Sequence, residues 1–127
     1  MSMIRSITMD GQRYTFYCDS WNTRHGFAHG CEMFGGGGFY KIAENKCYYL
    51  NRTWEMWTYQ CAIAGAVINA IDHIEGRVAD ALKEKNGWSK LTVKRREAVM
   101  EALDHDTEYQ TLTKVLHEVN SRNPAWD

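Results

Sequence analysis

Apolar and polar residues alternate with period two over the first fifty positions, then shift to a helical period. Ile7 and Met9 lead into Asp10-Gly11, a two-residue hairpin signal. Tyr14, Phe16 and Cys18 then alternate with Thr15, Tyr17 and Asp19, which places them on opposite faces of a strand. Asn22 to Gly26 supplies the next turn, and Phe27, His29, Cys31 and Met33 resume the alternation. Gly35 to Gly38 reads as a loop, since four consecutive glycines hold no conformation of their own. Tyr40 to Leu50 reads as a further strand with a bulge near Ala43. Residues 3–50 therefore predict an antiparallel meander of three or four strands.

From Thr53 the apolar positions Trp57, Cys61, Ala64, Ile68, Ile71, Val78 and Leu82 recur at spacings of three and four, with Glu75 the one exception. Ile63, Val67, Ala70 and Ile74 form a second stripe beside them, so the pattern is a helix with a wide apolar face. Asn51 or Thr53 caps its start, Glu55 complements the dipole there, and Asn86-Gly87 ends it. Two shorter helices follow. Thr92 to Leu103 carries Val93, Val99, Met100 and Leu103. Thr107 to Asn120 opens with Thr107 and Gln110 at capping-box spacing, after the turn Asp104-His105-Asp106. The fold expected is α+β: a β-meander packed on a long helix, followed by a C-terminal helical hairpin. One domain holds the meander (1–50), the long helix (53–86), the hairpin (91–121) and a tail marked by Pro124 (122–127).

The long helix constrains assembly. Thr53 to Lys85 spans roughly 48 Å at 1.5 Å per residue. A globule of this chain length has a radius of gyration of about 14 Å. One small sheet does not cover such a helix. Either it bends near Gly65 or Gly76, or its distal half, Ile68 to Leu82, packs on a closed helical hairpin or on a second copy in a homodimer.

Composition narrows the function classes. The chain has 127 residues, 44% hydrophobic and 24% charged, as ordinary globules do. A formal net charge of −1 excludes a general polyanion binder, so any nucleic-acid contact needs a local patch. The longest apolar or glycine run, Cys61 to Ile68, falls far short of the roughly 20 residues a membrane helix needs, so no membrane partner is expected. No basic-then-apolar leader opens the chain. Cys18, Cys31, Cys47 and Cys61 form no C-x-x-C pair, and a reduced, cytoplasmic protein is expected.

Candidate chemistry sits at two places. At the strand-to-helix junction, Lys46, Tyr48, Asn51, Arg52, Trp54 and Trp57 combine aromatic anchors with cations beside free helix N–H groups, which suits a protein partner or an anion. The plainer reading is that the tryptophans fill the core and Asn51 or Thr53 only caps. In the second place, Lys83, Lys85, Lys90, Lys94, Arg95 and Arg96 surround Trp88, a composition that suits phosphates and a stacked base. It also suits a solvated loop in which Lys94 and Arg95 pair with Glu101 and its neighbours. His25 and His29 near the cysteines make a weak zinc signal, because no second ligand pair exists and four strand residues span about 13 Å. Asp72-His73 and Asp104-His105-Asp106 offer adjacency without pairing geometry. No nucleophile elbow and no P-loop lysine is present. An enzyme, a metal or a cofactor is therefore not expected.

Tyr48-Tyr49-Leu50-Asn51-Arg52-Thr53-Trp54-Glu55, with Trp21 through His29 and the helix beyond, resembles a group of small proteins carried by bacteriophages and other mobile elements. The resemblance covers roughly residues 14–70. It implies an accessory protein made in the cytoplasm of an infected bacterium. It implies stoichiometric binding to a host protein or ribonucleoprotein complex, with blockade of a defence factor in the manner of an anti-CRISPR inhibitor. The alternative is a small DNA- or RNA-binding module using the basic 83–96 block.

Overall fold

The computed structural model describes residues 2–24, 26–35, 40–49 and 55–127, with Tyr49 and residues 55–58 described in their backbone only. Four antiparallel strands come first: β1 (Ser2–Met9), β2 (Gln12–Thr23), β3 (Gly26–Gly35) and β4 (Tyr40–Tyr49). Three helices follow: α1 (Glu55–Asn86), α2 (Val93–Asp104) and α3 (Thr107–Val119). The sheet order is β1-β2-β3-β4, so the protein is an α+β fold with a simple meander.

Turn chemistry sets the registers. Asp10 and Gly11 take φ of 51° and 76°, the left-handed pair that a tight hairpin with right-handed twist requires. Met9 consequently faces Gln12, and Ile7 faces Tyr14. Between β3 and β4 the pairing steps from Met33–Ala43 to Phe34–Lys41, leaving Ile42 as the extra residue of a bulge beside Ala43, as expected. Gly35 proves to be the last strand residue rather than loop. A Cβ there would come within 2.6 Å of the Tyr14 ring and 2.7 Å of Ile42, so only glycine lets the three elements close. Gly36 to Gly38 lie outside the described residues.

Alternation places Ile7, Tyr14, Phe16, Cys18, Cys31 and Met33 on one face, all buried. Helix α1 crosses that face over β3 and β4, while α3 reaches β1. The buried side of α1 is Tyr59, Ala62, Ile63, Ala66, Val67, Ala70, Ile71 and Ile74. This corrects the sequence expectation: the second stripe is the centre of the face, while Cys61 and Ile68 of the first stripe are exposed. Periodicity defines a wide face but not its midline, which depends on where the sheet lies.

Two side chains of α1 and β4 bind the layers. Asn69 Nδ2 donates to the Glu44 carbonyl at 2.7 Å, and Asn45 Nδ2 to the Ala62 carbonyl at 3.5 Å. The distal half of α1 is covered by α2 and α3. Val99, Leu103, Leu112, Val115 and Val119 share one buried cluster with Ile74, and Val78 and Leu82 pack against it. Of the arrangements open to the long helix, the closed helical hairpin is present. Gly65 and Gly76 do not interrupt α1, and Gly87 ends it in the left-handed conformation at φ 67°.

Thr92 caps α2, accepting from the Arg95 N–H at 3.3 Å. The cap of α3 is Asp106, not Thr107 as the capping-box spacing suggested. Its carboxylate accepts from the Tyr109 N–H at 2.8 Å and also pairs with Arg77 of α1 at 3.1 Å, a second partner that decides between neighbouring cap residues. The segment expected only as a tail straps the free edge of β1. The Asp127 N–H donates to the Ser6 carbonyl at 2.8 Å, and the Trp126 ring meets Phe16 edge-on at 6.1 Å. Among the described residues no helix is long and apolar enough to cross a membrane.

Candidate functional site

Helix α1 packs on one face of the sheet, and among the described residues no helix packs on the other, which Asp127 touches only at its β1–β2 end. Alternation from the buried residues assigns Ile4 of β1, Tyr17, Asp19 and Trp21 of β2, Gly30, Glu32 and Phe34 of β3, and Lys41, Glu44, Lys46 and Tyr48 of β4 to the outer face. Ile4 is 58% exposed, Tyr48 68% and Trp21 37%. Tyr17 and Phe34 stack edge to face at 5.3 Å. Trp21 lies across Gly30, whose absent Cβ would be 3.1 Å from the indole ring, so glycine is what lets the ring lie down on the strand. Ala28, in register between Trp21 and Tyr48, is fully buried.

Charge frames this aromatic surface. Glu32 and Glu44 face each other across β3 and β4, a like-charge pair that is unfavourable by itself. Lys41 bridges them at 3.9 and 3.0 Å. Its hydrogen bond to Glu44 holds that carboxyl below, and its own ammonium above, the ordinary values. A cleft of 220 Å³ opens beside them, walled by Tyr17, Trp21, Asp19 and Lys46 with Gly30 as its floor. Rigid strands, aromatic area and a mixed charged rim are what a protein docking surface requires.

Two of the junction candidates, Lys46 and Tyr48, belong to this outer face. Asn51, Arg52 and Trp54 lie outside the described residues, as does the side chain of Trp57. Trp21, Tyr17 and Phe34 were missed as site residues, although the period-two pattern already placed Tyr17 opposite the core-facing Phe16 and Cys18.

The basic block sits at the other end of α1. Lys83 and Lys85 occupy its last turn, where cations complement the dipole. Arg95 lies over the Trp88 ring at 5.2 Å and donates to the Lys90 carbonyl at 2.9 Å. Trp88 is thus partly covered by its own neighbour. The expected pairing of Lys94 and Arg95 with Glu101 is not formed; among the described residues none of the six cations makes an ion pair. The block and the outer sheet face are two separate surfaces. Asn45 and Asn69 dock β4 onto the first half of α1, a long way from Lys83.

Several of the remaining candidates have structural places. His29 is buried edge-on to Tyr59 at 4.9 Å, and His25 lies outside the described residues. Cys18 and Cys31 face each other in the core as free thiols. The adjacent Cys18 and then burial push the Cys31 thiol far up, which suits packing rather than nucleophilic chemistry. Among the described residues no three His, Cys, Asp or Glu side chains converge to hold a metal. Asp72 and His73 are exposed neighbours on α1. His105 and Asp106 are the caps of α2 and α3. No protein-family model, no curated protein and no solved structure matches the chain.

Proposed function

We propose that the protein is a phage or mobile-element accessory protein that works by occupancy rather than turnover, binding a host defence factor in the manner of an anti-CRISPR inhibitor. The outer face of its sheet is the docking surface. The observation that carries the docking reading is the exposure of Tyr48, Trp21 and Ile4 around the Tyr17–Phe34 pair on paired strands. The provenance rests on the resemblance of residues 14–70. Aromatic anchors on a rigid scaffold lose little entropy on binding and supply most of the energy of protein interfaces. Lys46 and Tyr48 belong to this surface and precede in sequence the Asn51–Trp57 junction, which the same proposal includes.

The test uses variants at exposed positions, where folding is safe. Tyr48→Ala with Ile4→Lys should leave the thermal midpoint unchanged and abolish protection of a phage or plasmid from the host defence. An anchor of about 2 kcal/mol corresponds to roughly thirtyfold weaker binding per site. Full protection by the folded double variant would remove this surface from the mechanism.

A nucleic-acid-binding module remains the second reading, favoured by the absence of any acidic partner for the six cations of the block among the described residues. In that case the isolated protein binds DNA or RNA with strong salt dependence. Neutralising Lys90, Lys94 and Arg96 flattens the slope by about one unit per lost contact. Tight, salt-sensitive binding of this kind would displace the first reading.

A further inference from the structure

On the helix side of the sheet, a cleft of 270 Å³ separates the edge of β1 from the start of α1 and the C-terminal strap. Its walls are Met3, Tyr59, Ile63 and Trp126, and two arginines, Arg5 and Arg122, belong to its lining. Arg5 is anomalous for its position. It faces Phe16 in register and alternates with Met3 and Ile7, so the strand pattern calls for an apolar side chain there. The α1–α3 layer does not close over it, and Arg5 remains exposed.

Neither arginine has an acidic partner among the described residues. Arg5 spends one donor, Nη1, on the Ile4 carbonyl at 3.1 Å. A guanidinium carries five N–H donors, so most of the donor capacity of both remains available. Two like charges flanking one cleft repel each other, and an anion between them turns that repulsion into attraction. Arginine also matches the paired oxygens of a phosphate in a bidentate fork.

The aromatic wall is held in place before any ligand arrives. The Ala125 N–H donates to Glu118 Oε1 at 2.8 Å, the Trp126 N–H to the Pro124 carbonyl at 2.9 Å, and the Asp127 N–H to Ser6. Tyr59 is fixed on the opposite side by its hydroxyl, which donates to Ser20 Oγ at 3.1 Å. An indole, a phenol and two aliphatic side chains accept a flat ring. The cleft, at 270 Å³, is slightly smaller than the usual small-molecule site of about 300–1,000 Å³, so it holds one ring system while the substituent reaches its open rim.

We infer that this cleft binds a nucleoside monophosphate, its base against the Trp126 and Tyr59 walls and its phosphate between Arg5 and Arg122. The site is independent of the outer face of the sheet, which lies on the opposite side.

The indole N–H signals of the five tryptophans in a heteronuclear NMR spectrum read out binding directly, with Trp126 assigned through Trp126→Phe. Titration with AMP should move the Trp126 signal with a dissociation constant of about 1 mM or tighter. Adenosine and inorganic phosphate should each bind at least about tenfold more weakly, because each supplies half of the recognition. Arg5→Gln and Arg122→Gln should each weaken AMP about tenfold while leaving adenosine and the thermal midpoint unchanged. A Trp126 signal that stays fixed up to about 10 mM AMP would overturn the inference. Equal affinity for AMP and adenosine, or unaltered AMP affinity in both arginine variants, would do so as well. Phenyl phosphate binding more tightly than AMP would overturn the assignment to nucleosides.

Discussion

Two glycines on α1 separate close packing from mere permissiveness. Helical glycine ordinarily lowers stability by about 0.5–1 kcal/mol relative to alanine. At Gly76 a Cβ would meet nothing within 4 Å, so Gly76→Ala should raise stability by roughly that amount. At Gly65 the Cβ would collide with the Asn45 carboxamide, which is itself engaged with Cys47 Sγ at 3.2 Å and the Ala62 carbonyl. Gly65→Ala should therefore destabilise by about 1–3 kcal/mol through overpacking, despite its better helix propensity. Urea unfolding of the two variants measures the contrast, and stabilisation at both sites would mean that β4 does not approach α1 so closely. Both glycines were visible in the sequence as places for a bend. Their difference was not, because it depends on a β4 side chain twenty residues away. Alternation similarly placed Tyr17 and Tyr48 on a strand face, but only the layer order reveals which face the helices leave open.

At the scale of elements, the β1–β2 turn is clipped to α3 by Asp10. Its carboxylate accepts from Thr111 Oγ1 at 2.9 Å and from Lys114 Nζ at 3.0 Å. The lysine first, and the threonine second, hold the Asp10 carboxyl below its ordinary 3.8. A depressed folded-state value means the stabilisation is complete above 3.8 and is lost as pH falls through the lower value. Asp10→Asn keeps the left-handed turn preference and removes the charge. The variant should be less stable than the parent at neutral pH, and the difference should shrink as pH falls below 3.8. Added salt should also reduce it, because the pair is exposed. A difference in unfolding midpoint that stays constant through the acid range would mean that the carboxylate does not carry the clip. The turn itself was legible as Asp10-Gly11, since hairpin chemistry is local. The clip was not, since Lys114 lies a hundred residues on. Locality also explains why Asn86-Gly87 marked the end of α1 correctly while Thr107 was displaced as a cap by Asp106, whose Arg77 partner sits on another helix.

At the scale of the molecule, α1 is the element that both layers share. Its first half packs on the sheet and its second half on α2 and α3, and the buried residues of all three regions form one cluster running from Phe16 and Met33 to Leu112 and Val115. A continuous core with no boundary in it unfolds as a unit. Leu112→Ala removes a fully buried side chain from the hairpin and should cost about 2–5 kcal/mol. That loss should lower the urea midpoint equally by circular dichroism, which follows the helices, and by tryptophan fluorescence, which also follows Trp21 on the sheet. Hairpin unfolding ahead of the fluorescence change would show instead that the sheet and the helical pair are separate cooperative units. The same measurement addresses assembly. The hairpin covers the apolar stripe that a second copy would otherwise cover, leaving Ile68, Val93 and Met100 as the exposed large apolar residues of the helices among the described residues. A midpoint independent of protein concentration is therefore expected. One that rises with concentration would mean that folding is coupled to association through those residues, because only an assembly gains stability by mass action.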